Sequence, residues 1–160
     1  GTAGLSMAGR QGNDQSITRA HESILDAKQP LALRTELVRS LSESSVPSSV
    51  GPLLKLATDR TTPNSLRRVA IESLAAFDDS KIADRLIAAF TSSISTGSGL
   101  RETACRTLAS RKPWASRLVR EINQWRLKPD DVPSDAVWKK RLYDSRELAK
   151  ALDQAFGSEP

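Results

Sequence analysis

The amino-acid sequence of this chain repeats itself at intervals of about 33 residues. Leu33-Arg34, Leu66-Arg67 and Leu100-Arg101 recur at spacings of 33 and 34 residues. Behind each Leu-Arg pair, small or aliphatic residues return four, five and eight positions further on, which is the spacing of one helix face. A period of this length is typical of arrays of helix pairs, because a single pair cannot bury its apolar face alone. The repeat therefore predicts a stacked array.

Apolar residues between these landmarks follow helical spacing along most of the chain. Prolines stand where several runs begin, and a proline in the first turn of a helix costs no hydrogen bond. No window alternates β-branched with polar residues, so strands are not predicted. Helices are predicted to begin near Asp14, Pro30, Pro52, Pro63, Asp79, Leu100 and Pro113, with two more after residue 133.

Short connections between helices of this length favour antiparallel neighbours and hence stacked helix pairs. We therefore predict an all-α fold, a right-handed α-α superhelix of about three helix pairs with capping helices at both ends. Residues 1–14 show no period and are predicted to be a disordered leader. Residues 15–157 are predicted to form one helical-repeat domain, followed by a tail at residues 158–160.

One cysteine, Cys105, and one histidine, His21, limit the chemistry of this chain. They exclude an internal disulfide framework, a zinc site of cysteine and histidine, and a CxxCH haem-attachment motif. No apolar run approaches the roughly 20 residues of a membrane span, and the N-terminus lacks a signal peptide. We expect a soluble piece without membrane insertion, and a start with Gly1 and an internal Met7 indicates a fragment of a longer protein.

The residues at the repeated positions distinguish among helical repeats of this length. The Thr-Pro-Leu-His cue of ankyrin repeats is absent, and so is the Trp, Leu-Gly and Tyr arrangement of tetratricopeptide repeats. The Leu-Arg opening, the small or aliphatic centre and the leucine near the end of the first helix resemble HEAT-like or armadillo-like repeats. This resemblance implies an α-α superhelix and says little about function.

A narrower resemblance rests on two internal stretches and on the C-terminal region. They resemble the HEAT-like segment of planctomycete- and verrucomicrobial-type bacterial proteins that combine a membrane-bound dehydrogenase or β-propeller region with a c-type cytochrome domain. That family usually closes the segment with Trp-Gly, whereas Phe156 stands here in place of the tryptophan. The matching residues are Phe77-Asp78-Asp79, Ile82, Leu86-Ile87, Phe90, Leu108-Ala109-Ser110-Arg111, Trp114-Ala115, Leu118-Val119, Ile122, Trp138, Arg141-Leu142, Asp144, Leu148, Leu152 and Phe156-Gly157.

The resemblance implies a role as a scaffold between two larger regions of one exported protein. It implies a periplasmic or cell-envelope location. It also implies haem c in a neighbouring domain of the parent protein, and no cofactor in this chain. The partners it implies are protein domains of the same parent chain or of another protein.

A candidate partner surface comprises Trp114, Arg117, Arg120, Trp125 and Trp138. The tryptophans also fit a second interpretation, in which they bury the end of the array. The two arginines lie three residues apart and therefore share one helix face. HEAT-like arrays such as bacterial alkyl-purine glycosylases bind DNA along a basic face, and the net charge of +5 fits that alternative. Acidic residues among the arginines instead favour solvated, salt-bridged helix faces.

Other polar residues are predicted to have structural roles. Asp78 and Asp79 stand where a helix begins, and carboxylates there cap free N–H groups. Cys105 falls on an apolar helix face and is predicted to lie in the core. His21 is predicted to be exposed. The arginines of the three Leu-Arg pairs are expected to reach an acid or the carbonyl end of an adjacent repeat.

These observations predict a non-catalytic scaffold or protein-interaction module, with no catalytic, cofactor-binding or metal-binding residue in this chain. The alternative is a nucleic-acid-binding HEAT-like protein that uses a basic face. A third hypothesis, an enzyme, would need a convergent set of nucleophile, base or metal ligands, which no motif supplies.

Overall fold

The computed structural model describes residues 2–94 and 97–124, with side chains from residue 14 onward, and residue 150. The described part is all helical and contains no strand, which confirms the all-α class. Two single 3-10 turns, Pro47–Ser49 and Leu74–Ala76, accompany the longer helices. The seven α-helices are α1 (Thr2–Leu25), α2 (Leu31–Ser44), α3 (Val50–Thr58), α4 (Asn64–Ser73), α5 (Ser80–Ala89), α6 (Leu100–Ala109) and α7 (Lys112–Asn123).

The helices contact one another in two rows. In the even row, α4 lies against both α2 and α6. In the odd row, α3 lies against α1 and α5, and α5 against α7. The rows also pack on each other, since α1 contacts α2, α3 contacts α4 and α6 contacts α7. Each Leu-Arg pair therefore lies near the start of an even-row helix.

The core lies between the rows and is built from the repeated positions. Leu66 and Leu100 are fully buried, and so are Ala70 and Ala104 four residues further on. Cys105 is a free, fully buried thiol, as predicted. The small residues at these positions let neighbouring helices of the even row approach closely, so that one apolar core runs along the helices.

The arginine of each Leu-Arg pair bonds the end of the preceding odd-row helix. Arg34 Nε donates to the Ile24 carbonyl at 3.0 Å, and Arg67 Nε donates to the Ala57 carbonyl at 3.0 Å. Arg101 also donates to a backbone carbonyl, that of Phe90 at the end of α5. The last carbonyls of a helix lack partners within the helix, so a guanidinium satisfies them. The predicted structural role of these arginines is confirmed.

The ends of several helices agree with the sequence prediction, and one differs. The Asp79 carboxylate accepts a hydrogen bond from the Lys81 N–H at 2.9 Å, which confirms it as the cap of α5. Pro30 and Pro63 precede the first turn of α2 and α4 and occupy the N-cap position. The largest difference is α1, which begins at Thr2, in the segment predicted to be a loose leader. No proline interrupts the sequence before Pro30, so the helix extends towards the N-terminus.

The two helices predicted after residue 133, Trp125, Trp138 and the C-terminal residues of the narrower resemblance lie outside the described residues. Within the described residues, no helix is long and apolar enough to cross a membrane.

Candidate interaction surface

A surface groove between α5 and α7 brings together three of the five residues of the predicted partner surface. Trp114, Arg117 and Arg120 line it from α7. Two carboxylates, Asp78 and Asp84, line it from the α5 side. The groove has a volume of about 240 Å³. We call it the α5–α7 groove; Ser80, Ala83 and Pro113 complete its lining.

Arg117 is held by two carboxylates. Its Nη1 lies 2.8 Å from Asp84 Oδ1, across the groove, and its Nε lies 3.0 Å from Glu121 Oε1, one turn further along α7. The Glu121 side chain is only 8% exposed. A buried carboxylate needs a cation or several hydrogen bonds to offset its lost hydration. Arg117 therefore compensates acids of its own chain and holds α5 and α7 together.

Trp114 lines the inner side of the groove, and its side chain is almost completely buried. The residue is 2% exposed, and the Arg111 guanidinium lies 5.2 Å from the centroid of its ring. Arg111 Nη2 also donates to the Ala75 carbonyl at 3.1 Å. These contacts connect the start of α7 to the 3-10 turn that follows α4, one repeat earlier. The packing interpretation of Trp114 therefore agrees with its burial.

Arg120 differs from its two neighbours because it is exposed and forms no ion pair with any described residue. The groove thus presents charges of both signs: the free Arg120 guanidinium, the Asp78 carboxylate and the Arg117–Asp84 pair. Mixed charge of this kind suits the polar rim of a protein interface.

A second groove follows on the same row, between α3 and α5, with a volume of about 500 Å³. Asp84 lines both grooves, so the two adjoin. Two basic residues, Lys81 and Arg85, and two acidic ones, Asp79 and Asp84, give this groove mixed charge as well. The odd row therefore carries two successive polar grooves at the repeat spacing.

His21 was predicted to be exposed, and the structure corrects this. The residue is half-buried in α1, and its Nε2 lies 2.8 Å from the hydroxyl of Ser49, a fully buried residue before α3. Burial lowers the pKa of His21, because a desolvated imidazole disfavours the charged form. The contact joins residues 28 positions apart, so no local sequence pattern could have shown it.

We predict that stability falls as the pH is lowered through the titration of His21. Folding lowers the pKa of His21. As the pH falls below about 6.5, the imidazole is therefore protonated in the unfolded chain before it is protonated in the folded chain, and the free energy of unfolding decreases. The full contribution is present above that pH. Urea unfolding at pH 7.5 and pH 5.5 should show a loss for the natural chain and a smaller one for His21→Gln. Equal losses in both proteins would contradict the prediction, since this is the chain's single histidine.

The sequence contained signals for part of this surface. Arg117 and Glu121 are four residues apart on one helix, the spacing of a favourable ion pair. Asp84 lies one repeat length before Arg117, so stacking places it nearby.

Among the described residues, no group of three His, Cys, Asp or Glu side chains converges to hold a metal ion. Comparison of the chain with protein-family models, with curated proteins and with solved structures found no match.

Proposed function

We propose that this chain is a non-catalytic helical-repeat scaffold that binds other protein domains, built as a HEAT-like right-handed superhelix. The observation that carries the proposal is the arginine of each Leu-Arg pair, which bonds a carbonyl at the end of the preceding helix three times along the chain. A comparable contact at each repeat is what we expect of an array of equivalent helix pairs. The two rows of contacting helices support the same arrangement.

The odd row is the proposed binding face. Its two grooves present both carboxylates and basic side chains, and the Arg117–Asp84 ion pair joins the two helices that form the α5–α7 groove. A preorganised surface loses little conformational entropy when a partner binds. Of the predicted residues, Arg120 is the one we propose to contact a partner directly, because it is exposed and without an ion pair among the described residues.

The wider setting follows from the family resemblance. We propose that the chain belongs to a longer exported protein of the periplasm or cell envelope, in which it separates a dehydrogenase-like region from a c-type cytochrome domain. Haem c would then be attached in the neighbouring domain, and this chain would supply spacing and orientation. The lack of a CxxCH motif in this chain agrees with that division.

The parent protein can be tested in the cells that make it. An antibody against this chain should detect a polypeptide much larger than 17.4 kDa in the envelope fraction, and the same band should stain for covalently attached haem. A haem-free band of about this chain's own mass in the cytosol would contradict the proposed parent. The same experiment with the antibody blocked by purified chain controls for cross-reaction.

A second candidate function, nucleic-acid binding, is favoured by one observation. Exposed cations occur on three successive odd-row helices, namely Lys55 on α3, Arg85 on α5 and Arg120 on α7. A row of unpaired cations is what a phosphate backbone requires. The acids that line both grooves oppose this function, since Asp78 and Asp84 would repel phosphates.

We predict that the chain does not bind generic duplex DNA tightly. In a fluorescence-anisotropy titration at 150 mM salt, binding should not saturate below about 100 µM protein, the weak end of non-specific affinity. Micromolar binding that weakens by orders of magnitude as salt rises, and that is reduced by Arg120→Ala but not by Arg39→Ala on the even row, would instead support the nucleic-acid function.

A further inference from the structure

The N-terminal end of the helix rows carries an apolar groove between α1 and α2. Ile17 and Ala20 of α1 form one side, and Leu37 and Ser40 of α2 form the other. Its volume is about 530 Å³. Leu33, one turn before Leu37 on the same helix edge, is 39% exposed. We call Leu33, Leu37 and Ser40, with the adjoining groove, the end face.

The other repeats show what normally covers this face. The positions equivalent to Leu33 are Leu66 in α4 and Leu100 in α6, and both are fully buried. Each lies on a helix that has an even-row neighbour before it: α2 precedes α4, and α4 precedes α6. No described helix precedes α2 in the even row, so its equivalent leucine remains exposed.

Ser40 of the end face shows the same difference in burial from its equivalents in the other repeats. Ser40 is exposed, whereas its equivalents Ser73 and Thr107 are 7% and 5% exposed. Thr107 Oγ1 donates to the Ile71 carbonyl of the preceding even-row helix at 3.3 Å. Ser40 therefore offers a hydrogen bond to the backbone of a helix in the same place. In both described repeats that follow α2, the equivalent face is occupied by a helix.

The edge of the end face is acidic. Glu36 lies three residues after Leu33 and Glu43 three residues after Ser40, so both flank the apolar edge of α2, and both are exposed. On the α1 side, Asp14 is exposed and lines the groove. None of the three carboxylates forms an ion pair with a described residue, although Arg39 lies on the same helix.

Covering the end face would bring Glu36 into a drier environment. The positions equivalent to Glu36 are Val69, which is half-buried, and Thr103, which is 1% exposed. A carboxylate in that position needs a cation to offset its lost hydration. The charge of the end face therefore selects an occupant with basic residues along one edge.

A second copy of this chain fits poorly. When two copies join through the same patch about a twofold axis perpendicular to α2, their α2 helices run antiparallel. The Glu36/Glu43 edges of the two copies then meet, and like charges across a helix pair repel. The acidic edge thus disfavours an antiparallel dimer of this kind.

We propose that the end face binds a basic amphipathic helix of a partner protein, stacked on α2 as α4 stacks against α2. The partner helix places aliphatic residues against Leu33 and Leu37, a backbone carbonyl near Ser40, and Lys or Arg beside Glu36 and Glu43. This inference rests on the proposed repeat scaffold and adds the chemistry of one partner. It does not depend on the dehydrogenase or cytochrome setting.

The direction of stacking defines a peptide probe. Thr107 in α6 donates to the Ile71 carbonyl in α4, and Arg111 just after α6 donates to the Ala75 carbonyl just after α4. Both acceptors lie 36 residues before their donors, so α4 and α6 run in the same direction. In a copy of α2 stacked in that direction, positions 35 and 39 face the Glu36/Glu43 edge. The basic probe is therefore a synthetic peptide of sequence Leu31–Ser44 with Thr35→Lys, Glu36→Gln and Glu43→Gln. The acidic probe carries Thr35→Glu and Arg39→Glu with the same two glutamines.

The experiment is a titration of the full, ¹⁵N-labelled chain with each probe, followed by amide chemical shifts. A 14-residue helix is marginal in isolation, so weak binding is expected and this method detects it. The basic probe should shift amides of α1 and α2 around Ala20 and Leu37 and should bind about tenfold more tightly than the acidic probe. Equal binding of both probes, or shifts located elsewhere, would overturn the proposal.

Variants of the chain separate the end face from general charge. Leu33→Gln and Glu36→Lys should each weaken binding of the basic probe about fivefold or more. Glu72→Lys, the same charge change at an exposed site of α4, should leave it unchanged. Sedimentation of the chain alone supplies a further outcome: a dimer that Leu33→Gln dissociates would assign the end face to a second copy and overturn the proposal. None of these results depends on whether the parent protein carries haem.

Discussion

Replacing Arg67 with methionine should destabilise the chain by about 2–4 kcal/mol, because two carbonyls in the folded state lose their donor. The Arg67 residue is 3% exposed, its Nε donates to the Ala57 carbonyl at 3.0 Å, and its Nη2 donates to the Ser93 carbonyl at 2.8 Å. Burial lowers the pKa of this guanidinium. Methionine keeps most of the apolar volume of the arginine and removes all of its donors. Urea unfolding followed by circular dichroism measures the loss.

The adjacent arginine provides a matched control. Arg68 is exposed, so Arg68→Met makes the same chemical change one residue away and should alter stability by no more than about 0.5 kcal/mol. If both variants lose the same free energy, the carbonyl bonds are not the source of the loss. Arg34→Met should fall between them, because one hydrogen bond of Arg34, to Ile24, is lost instead of two.

Leu66→Ala should cost about 3–5 kcal/mol, whereas Leu33→Ala should cost less than about 1 kcal/mol. The two leucines occupy the same repeat position, but Leu66 is fully buried and Leu33 is 39% exposed. Removal of three carbons from Leu66 leaves a cavity in the core, while at Leu33 water already reaches the side chain. Thermal and urea unfolding of the two variants give the difference directly.

The pair also tests the end face. If Leu33→Ala were as costly as Leu66→Ala, Leu33 would be covered in the folded chain and no open end face would exist. If Leu33→Ala loses little free energy of unfolding and Leu66→Ala loses much, leucine at this repeat position stabilises the fold only where the chain buries it.

Much of the fold could be predicted from the sequence because the chain repeats one local helix pattern. The Leu-Arg pairs place the even-row helices, and the spacing of small residues behind them identifies the faces that pack. The cap at Asp79 and the buried thiol of Cys105 were predictable from single helices. Each of these features depends on neighbours within about one turn or one repeat, which is the range over which sequence patterns are readable.

The candidate surface was less predictable, since it depends on contacts between helices. That Arg117 lies beside its i+4 partner Glu121 could be seen in the sequence, but its contact with Asp84 depends on how α5 stacks on α7. The contact of His21 with Ser49 crosses from α1 to the start of α3, and no periodicity connects the two. The acidic residues among the arginines predicted salt-bridged helix faces, and the ion pairs of Arg117 with Asp84 and Glu121 agree with that prediction.

The bond from each Leu-Arg arginine to a preceding carbonyl has a consequence for how the chain tolerates insertions. Arg34 and Arg67 each reach a carbonyl ten residues earlier, yet the connection before Arg101 is longer. There Arg101 Nε donates to the Ile94 carbonyl at 3.1 Å, within the connection itself, and another nitrogen still bonds Phe90. The Arg101 guanidinium thus bonds both the end of α5 and the longer connection that follows it. Residues inserted between an acceptor carbonyl and its arginine should therefore leave the bond between them intact, as the longer connection before Arg101 does.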